Sequence, residues 1–358
     1  MAKLINGEHW LDTGGVDINA HGGGMLLYGG VYHWFGEHKV AGKLGNSAQV
    51  GVGVYTSRDL RRWENGGIAL AVAETAGHDI QLGCILERPK VLFCARTGKF
   101  VMWFHLEPKG QGYGGAKVGV AVADRPAGPY AFVRSFRPDA GHWPVAGTRR
   151  ELGETEHGLL AGLKLCGGPV DGYPADMVYR RDFAGGQMSR DQSLFLNDDG
   201  AAYQIRASEE NGTLHISRLS DDFLGTSGVW ERAFPGRFHE APAMFKHAGR
   251  YYLFTSGCSG WDPNPARLSV APAPLGPWTE LGNPCRGTPE QLATTFDSQS
   301  AHVLPVAGRP ATFVFMADRW RPKNAIDGRY VWLTIHFAAD GAPELRWEDA
   351  CSAVEDPM

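Results

Sequence analysis

The sequence predicts an all-β fold, a five-bladed β-propeller, and three observations carry the prediction. Helical periodicity is nearly absent along the 358 residues. A short aromatic-rich stretch, usually opened by a glycine turn and closed by a polar or charged residue, recurs five times. Each copy is followed by a second strand-like stretch, and the pair repeats at roughly 50 to 70 residues, a scale that marks radial β architecture.

Taken in order, the aromatic stretches are Gly30-Val-Tyr-His-Trp-Phe-Gly-Glu37, Gly98-Lys-Phe-Val-Met-Trp-Phe-His105, Gly200-Ala-Ala-Tyr-Gln-Ile-Arg206, Gly249-Arg-Tyr-Tyr-Leu-Phe-Thr-Ser256 and Thr312-Phe-Val-Phe-Met-Ala-Asp318. Each reads as a strand buried on both faces, the inner strand of its blade. The segments beginning at Val52, Val118, His215 and Leu268 supply a further strand, then a turn, then an aromatic or leucine that packs back. Val331-Trp-Leu-Thr-Ile-His336 supplies only the strand, so the fifth copy is the weakest. The spacing stretches between residues 132 and 188, where turn-rich sequence reads as an insertion on a blade loop. Residues 1–350 form a single domain in this reading, and 351–358 a short tail.

Composition narrows the function. Glycine is 48 of 358 residues, 43% of the chain is apolar and only 21% charged, which excludes a disordered chain and a coiled coil. A net charge of −4 without a Lys/Arg cluster argues against nucleic acid as a partner. No apolar run is long enough for a membrane helix. The start of the numbered chain lacks a secretory signal, so the expectation is cytoplasmic as numbered, and periplasmic or secreted if a leader was removed. The six cysteines have no zinc spacing and read as buried and reduced, with one disulfide open to an exported protein.

Ionisable residues at the mouths of apolar strands are the informative positions. Glu240 stands in Glu240-Ala-Pro-Ala-Met-Phe-Lys246, where poor solvation raises a carboxyl pKa toward general-acid range; its plain alternative is a partner for Arg237. Asp191 lies at the opposite end of its strand from the Asp198-Asp199-Gly200 turn, the end facing the axis; its alternative is a salt bridge with a neighbouring arginine. Glu87, inside Ile85-Leu-Glu-Arg-Pro-Lys-Val91, is either used or paired with Arg88 or Lys90. Gln299, in Asp297-Ser-Gln-Ser-Ala-His302, is suited to hold a water or a sugar hydroxyl, or is a buried amide bonding backbone. His21, His105 and His302 are candidates to surround a central metal or water, or are hydrogen-bonded core residues. Trp34, Trp103, Trp261 and Trp320 are candidate sugar platforms, with core packing favoured for the first two.

At these residues the chain resembles glycoside hydrolase family 43. The matching stretches are Ala20-His-Gly-Gly-Gly with Tyr32-His-Trp-Phe-Gly-Glu, Glu87-Arg-Pro-Lys-Val, Arg190-Asp-Gln-Ser-Leu-Phe, Glu240-Ala-Pro-Ala-Met-Phe-Lys and Asp297-Ser-Gln-Ser. The resemblance implies an inverting glycosidase with Glu240 as acid and Asp191 as the residue that tunes it. The first-blade aspartate typical of the family is replaced here by Ala20-His21-Gly22, as in the exo-β-1,3-galactanase-like branch. That branch implies Gln299 for positioning the attacking water, with Glu87 as rival for the base role. It further implies Glu37, Glu231, His21, Arg190, Trp261 and Trp320 as sugar ligands, no required cofactor, and a structural calcium in the central channel as an open option. The expected activity is exo-release of galactose from β-1,3-galactan or related β-galactosides of plant arabinogalactan. An α-L-arabinofuranosidase or β-galactofuranosidase, and a carbohydrate-binding propeller without hydrolysis, are the alternatives.

Overall fold

The computed structural model describes residues 3–165 and 168–355; Cys166 lies outside the described residues. Five sheets follow one another along the chain, antiparallel throughout except that Cys285 and Arg286 pair in parallel with Leu345 and Arg346 in the fifth. Blade 1 holds β1 (His21–Tyr28), β2 (Val31–His38), β3 (Gly51–Ser57) and β4 (Glu64–Ala71). Blade 2 holds β5 (Ile85–Cys94), β6 (Lys99–Glu107), β7 (Lys117–Ala123) and β8 (Ala131–Phe136). Two helices, α1 (Glu154–Ala161) and α2 (Ala175–Arg181), precede blade 3, which is β9 (Gln192–Leu196), β10 (Ala202–Ser208), β11 (Thr213–Leu219) and β12 (Thr226–Ala233). Blade 4 is β13 (His239–His247), β14 (Arg250–Gly257), β15 (Arg267–Ala271) and β16 (Thr279–Gly282). Blade 5 collects β17 (Cys285–Arg286), β18 (Gln299–Pro305), β19 (Phe313–Arg319), β20 (Arg329–Phe337) and β21 (Pro343–Arg346), with α3 (Pro289–Thr294) after β17 and α4 (Ser352–Glu355) after β21.

The first strands touch in a closed ring, β1 to β5 to β9 to β13 to β18 and back to β1, which makes the sheets a propeller. The aromatic stretches are the second strands of their blades, paired on both edges and buried, as an inner strand is. Their bulk explains the placement, because strands converge toward the axis and large rings fit only where blades have begun to spread. A two-residue turn, Gly29-Gly30 at φ +58° and +74°, joins β1 to β2 in the geometry that a right-twisted hairpin requires.

Among the described residues, four apolar clusters lie between successive blades, as blade-on-blade packing demands. The joint between blades 1 and 5 is closed by the chain ends. Trp10 packs on Trp34, Tyr330 and Trp332, and Asn6 exchanges bonds of 2.7 and 2.8 Å with the Trp332 backbone. Residues 351–355 are no loose tail: Cys351, Ala353 and Val354 are buried in that same cluster. The insertion runs from β8 to β9 and carries α1 and α2, whose Val178 and Leu160 form a small core of their own. Among the described residues no helix is long and apolar enough to cross a membrane.

Candidate active site

Four of the five innermost strands, all but β9, are broken by a β-bulge near their start. Register slips between His21 and Gly24 in β1, Glu87 and Lys90 in β5, Glu240 and Ala243 in β13, and Ser300 and His302 in β18. Three bulges place a residue in the left-handed region: Gly22 at φ +60°, Arg88 at +55° and Ala241 at +51°. For Arg88 and Ala241, which carry a Cβ, that conformation stores about 1–3 kcal/mol.

What holds it is a bond across blades. The Arg88 backbone N–H donates to Glu37 Oε1 at 2.9 Å, that of Ala241 to Asp191 Oδ2 at 3.1 Å, and that of Gly22 to Asp318 Oδ2 at 3.1 Å. Each bulge amide thus fixes an acid carried by the preceding blade in the ring.

Around these bulges opens a cavity of about 470 Å³. Its walls take Glu37 from blade 1, Glu87 and Arg88 from blade 2, and Arg190, Asp191 and Asn211 from blade 3. Glu240, Cys258 and Trp261 come from blade 4, Gln299 and Trp320 from blade 5, and Tyr113 and Gly168 from loops. The ring closure thus brings together Glu240, Asp191, Gln299, Glu87, Glu37, Arg190, Trp261 and Trp320.

Electrostatics separate the carboxyls. Burial, reinforced by the charge of Asp191, lifts Glu240 from 4.5 to about 8, so it keeps its proton at neutral pH. Asn211 Nδ2 donates to its Oε1 at 2.8 Å, and Arg237 is engaged elsewhere, on Glu280. Burial pushes Glu87 up, but the hydrogen bond and charge of His105 outweigh it and hold Glu87 below its ordinary value. Its oxygens accept from His105 Nδ1 and Tyr113 Oη, each at 3.1 Å, so its partner is neither Arg88 nor Lys90. Arg88 instead spans the site, reaching Gln299 Oε1 at 2.6 Å and Asp191 Oδ2 at 3.0 Å. Burial raises Glu37, and the Glu87 charge adds to this, against Lys39 paired with it at 2.6 Å.

Two expected ligands lie outside the cavity lining. His21 is 1% exposed, stacks on Tyr330 at 4.9 Å and faces Asp318 at 3.4 Å. Glu231 sits on β12, the outermost strand of its blade, and accepts from the backbone of Arg232 and Ala146 at 2.8 and 3.0 Å. A residue on the fourth strand is too far from the axis to meet a ligand there. Trp34 and Trp103 are buried core residues, whereas Trp261 and Trp320 meet edge to face at 5.5 Å on the cavity wall. The free cysteines 84, 94, 285 and 351 are buried, but Cys258 lines the cavity.

Sequence reasoning missed Arg88, Tyr113, Asn211 and Cys258 as site residues. Arg88 stood within a quoted motif but read only as a partner for Glu87. Tyr113 had a usable signal, one aromatic inside the run Gly110-Gln-Gly-Tyr-Gly-Gly115.

An axial metal ion does not fit the three histidines expected around it. His105 is clasped by Glu87 and Glu107 through its two ring nitrogens, at 3.1 and 3.0 Å. Burial alone would lower it, yet the two carboxylates raise it to about 9, and the resulting imidazolium has no lone pair for a metal. His21 faces Asp318, and His302 lies beside the Lys90 ammonium, so the rings address three different neighbourhoods. Glu87, His105 and Asp191 do bring ligand atoms within 4.8 Å of one another. That group is already served by the imidazolium proton and by the Arg88 guanidinium on Asp191.

Comparison with known proteins adds the following. The model of glycosyl hydrolases family 43 matches residues 174–343. A solved GH43 β-1,3-galactosidase, BT3683 with galactodeoxynojirimycin, is 49% identical over 96% of this chain and 99% of its own, with a TM-score of 0.89. A second GH43 β-1,3-galactosidase, BT0265, is 32% identical over 97% of this chain, which spans 63% of its length, at TM-score 0.79. The exo-β-1,3-galactanase of Phanerochaete chrysosporium, solved with β-1,3-galactotriose, is 32% identical over 98% of this chain and 68% of its own, at TM-score 0.77. No curated protein sequence matches the chain.

Proposed function

From a chain that belongs to glycosyl hydrolase family 43, we propose an inverting, exo-acting hydrolase that releases terminal galactose from β-1,3-galactan or related β-galactosides. The observation that carries the reading is a protonated Glu240 and an ionised Glu87 on one cavity, the pair of states that glycoside hydrolysis requires. A β-1,3-galactosidase that is 49% identical over nearly its whole length supports the sugar and the linkage.

In this scheme Glu240 donates its proton to the glycosidic oxygen as the bond to C1 breaks. A water attacks C1 from the opposite face and gives up a proton, so the product leaves with inverted configuration. Asp191, held by Arg88 and the Ala241 amide, supplies the negative charge that keeps Glu240 protonated until the leaving oxygen needs it.

Hydrogen-bond chemistry divides the water's handling between Gln299 and Glu87. Gln299 Oε1 already accepts from Arg88 Nη2 at 2.6 Å and Trp320 Nε1 at 2.8 Å, which occupies both lone pairs. Its Nε2 donates to Ser256 Oγ at 2.9 Å and keeps one N–H free to hold a water by its oxygen. An amide so engaged orients the nucleophile without accepting its proton. Glu87 has lone pairs left on both oxygens after Tyr113 and His105, and it is the acceptor in this reading. Trp261 and Trp320 offer apolar ring area to the sugar, and Glu37 and Arg190 offer polar contacts to its hydroxyls. No step calls for a cofactor.

The deciding experiment incubates the protein with β-1,3-galactan and with aryl β-galactopyranoside, α-arabinofuranoside, β-galactofuranoside and β-xyloside, following product by chromatography and NMR. Galactose appearing first as the α-anomer is expected. Turnover confined to a furanoside, or tight sugar binding with no turnover, would displace this reading.

A further inference from the structure

Lys90 follows the β5 bulge, is 2% exposed, and runs against β1, the first strand of the adjacent blade. A Cβ on Gly24 would come within 2.4 Å of Lys90 Cδ, so glycine at 24 is what leaves the lysine stem its path. Nζ donates to the carbonyl oxygen of Gly22 at 2.9 Å and reaches that of Arg88 at 3.5 Å. Those carbonyls belong to the left-handed residues of two bulges, on the neighbouring first strands β1 and β5. From blade 3, Gln192 Nε2 donates to the same Arg88 carbonyl at 2.7 Å. The charged and titratable groups around the Lys90 amine are Arg88 on its own strand, Glu37 on β2, Asp318 on β19, Asp191 before β9, and His302 on β18. Burial first and Arg88 second lower the amine to about 7, against the three carboxylates, so it is an ammonium below that pH.

We propose that Lys90 is the resident cation of the axial channel, in place of a metal ion, and a positioning residue that fixes the two bulges aiming Glu87, Arg88 and Glu37 into the cavity. The second half rests on the glycosidase reading above; the first half does not. Buried carbonyl oxygens need a donor or a cation, and an ammonium with three N–H groups supplies both functions from one tethered atom. A divalent ion a few ångströms from that ammonium would be repelled strongly in the low-dielectric interior. Through the Gly22 carbonyl, Lys90 also steadies the strand that faces Glu37, and through the Arg88 carbonyl it holds the peptide unit next to the Glu87 side chain.

The test uses the full chain. Metal content of the dialysed protein is measured by mass spectrometry, and melting is followed with EDTA, with calcium chloride and with neither. Lys90→Met keeps the stem and removes the charge; Lys90→Ala opens the axial space. Wild type is expected to carry well under one metal ion per chain and to melt within about 1 °C under all three conditions. Lys90→Met is expected to lower kcat on an aryl β-galactoside by more than about tenfold while KM stays within about threefold. Lys90→Ala is expected to gain several degrees in Tm from added methylammonium or calcium chloride, to which wild type is indifferent. Stoichiometric metal in wild type, or a clear fall of its Tm in EDTA, overturns the axial assignment even if no galactoside is ever cleaved. An unchanged kcat in a folded Lys90→Met overturns the positioning role. Should neither variant fold, the proposal reduces to the axial assignment, and the wild-type metal content and melting decide it.

Discussion

A carboxyl group in water loses its proton near pH 4.5, and Glu240 is held to about 8 by burial first and Asp191 second. The rate should therefore fall as pH rises through about 8, and a pH profile of kcat/KM on β-1,3-galactotriose checks this. Glu240→Gln should lose about 10²–10⁴-fold on that substrate, far less on an aryl galactoside with a good leaving group, and should lack the alkaline limb. The same shift has a consequence for stability. Between pH 4.5 and 8 the folded chain binds more protons at residue 240 than the unfolded chain, so stability declines as pH rises across that window. Glu240→Gln should accordingly melt a few degrees higher than wild type at pH 8, read by calorimetry. Glu87→Gln should cost about 10²–10⁴-fold whatever the leaving group, whereas Gln299→Ala should cost about tenfold. Equal losses from the two would remove the division of labour drawn from the Gln299 lone pairs. Both acids were legible as charges inside apolar runs. The raised pKa of Glu240 was legible too, from its apolar surroundings; the lowered one of Glu87 was not, because it depends on the His105 imidazole reaching it from another segment.

At the scale of the element, the first strands β5, β13 and β18 carry Glu87, Glu240 and Gln299, while Asp191 stands just before β9 and Glu37 on β2. Among the described residues, the fourth strands carry none of the cavity lining. The bulges in β1, β5 and β13 turn a peptide N–H outward to an acid of the preceding blade, and a one-residue slip in such a strand would reverse every side chain. Glu231 shows the contrast. It looked like a ligand, yet its strand is outermost, so Glu231→Gln should leave kcat/KM within about twofold of wild type. A loss beyond tenfold in a steady-state assay would mean that β12 reaches the substrate after all. The aromatic second strands were legible because their composition repeats. The bulges were not, since a left-handed Arg88 or Ala241 leaves no mark in composition and is held only by a bond from the neighbouring blade.

For the whole molecule the decisive event is ring closure. The site draws a wall from every blade, so it exists only when blade 5 meets blade 1. That joint is sealed by the chain ends, with Trp10 wedged among Trp34, Tyr330 and Trp332. Trp10→Ala should cost about 3–5 kcal/mol of unfolding free energy in urea titration, although it lies far from the cavity wall in sequence and packing. If Trp10→Ala unfolds with the wild-type midpoint, closure does not depend on that ring. The expected tail at 351–358 illustrates the same limit, because Ala353 and Val354 read as ordinary terminal residues until the joint they fill is formed. By itself the sequence determined the repeat, the number of blades, the strand ends where ionisable groups stand, and the family those groups resemble. These are properties of composition and spacing, which act locally along the chain. Only the tertiary structure decided that His105 holds Glu87 ionised, that Arg88 and Lys90 bridge blades, and that His21 and Glu231 stand apart from the cavity. Those outcomes depend on burial and on charges brought together from segments up to some 300 residues apart, such as Gly22 and Asp318, and no local pattern encodes them.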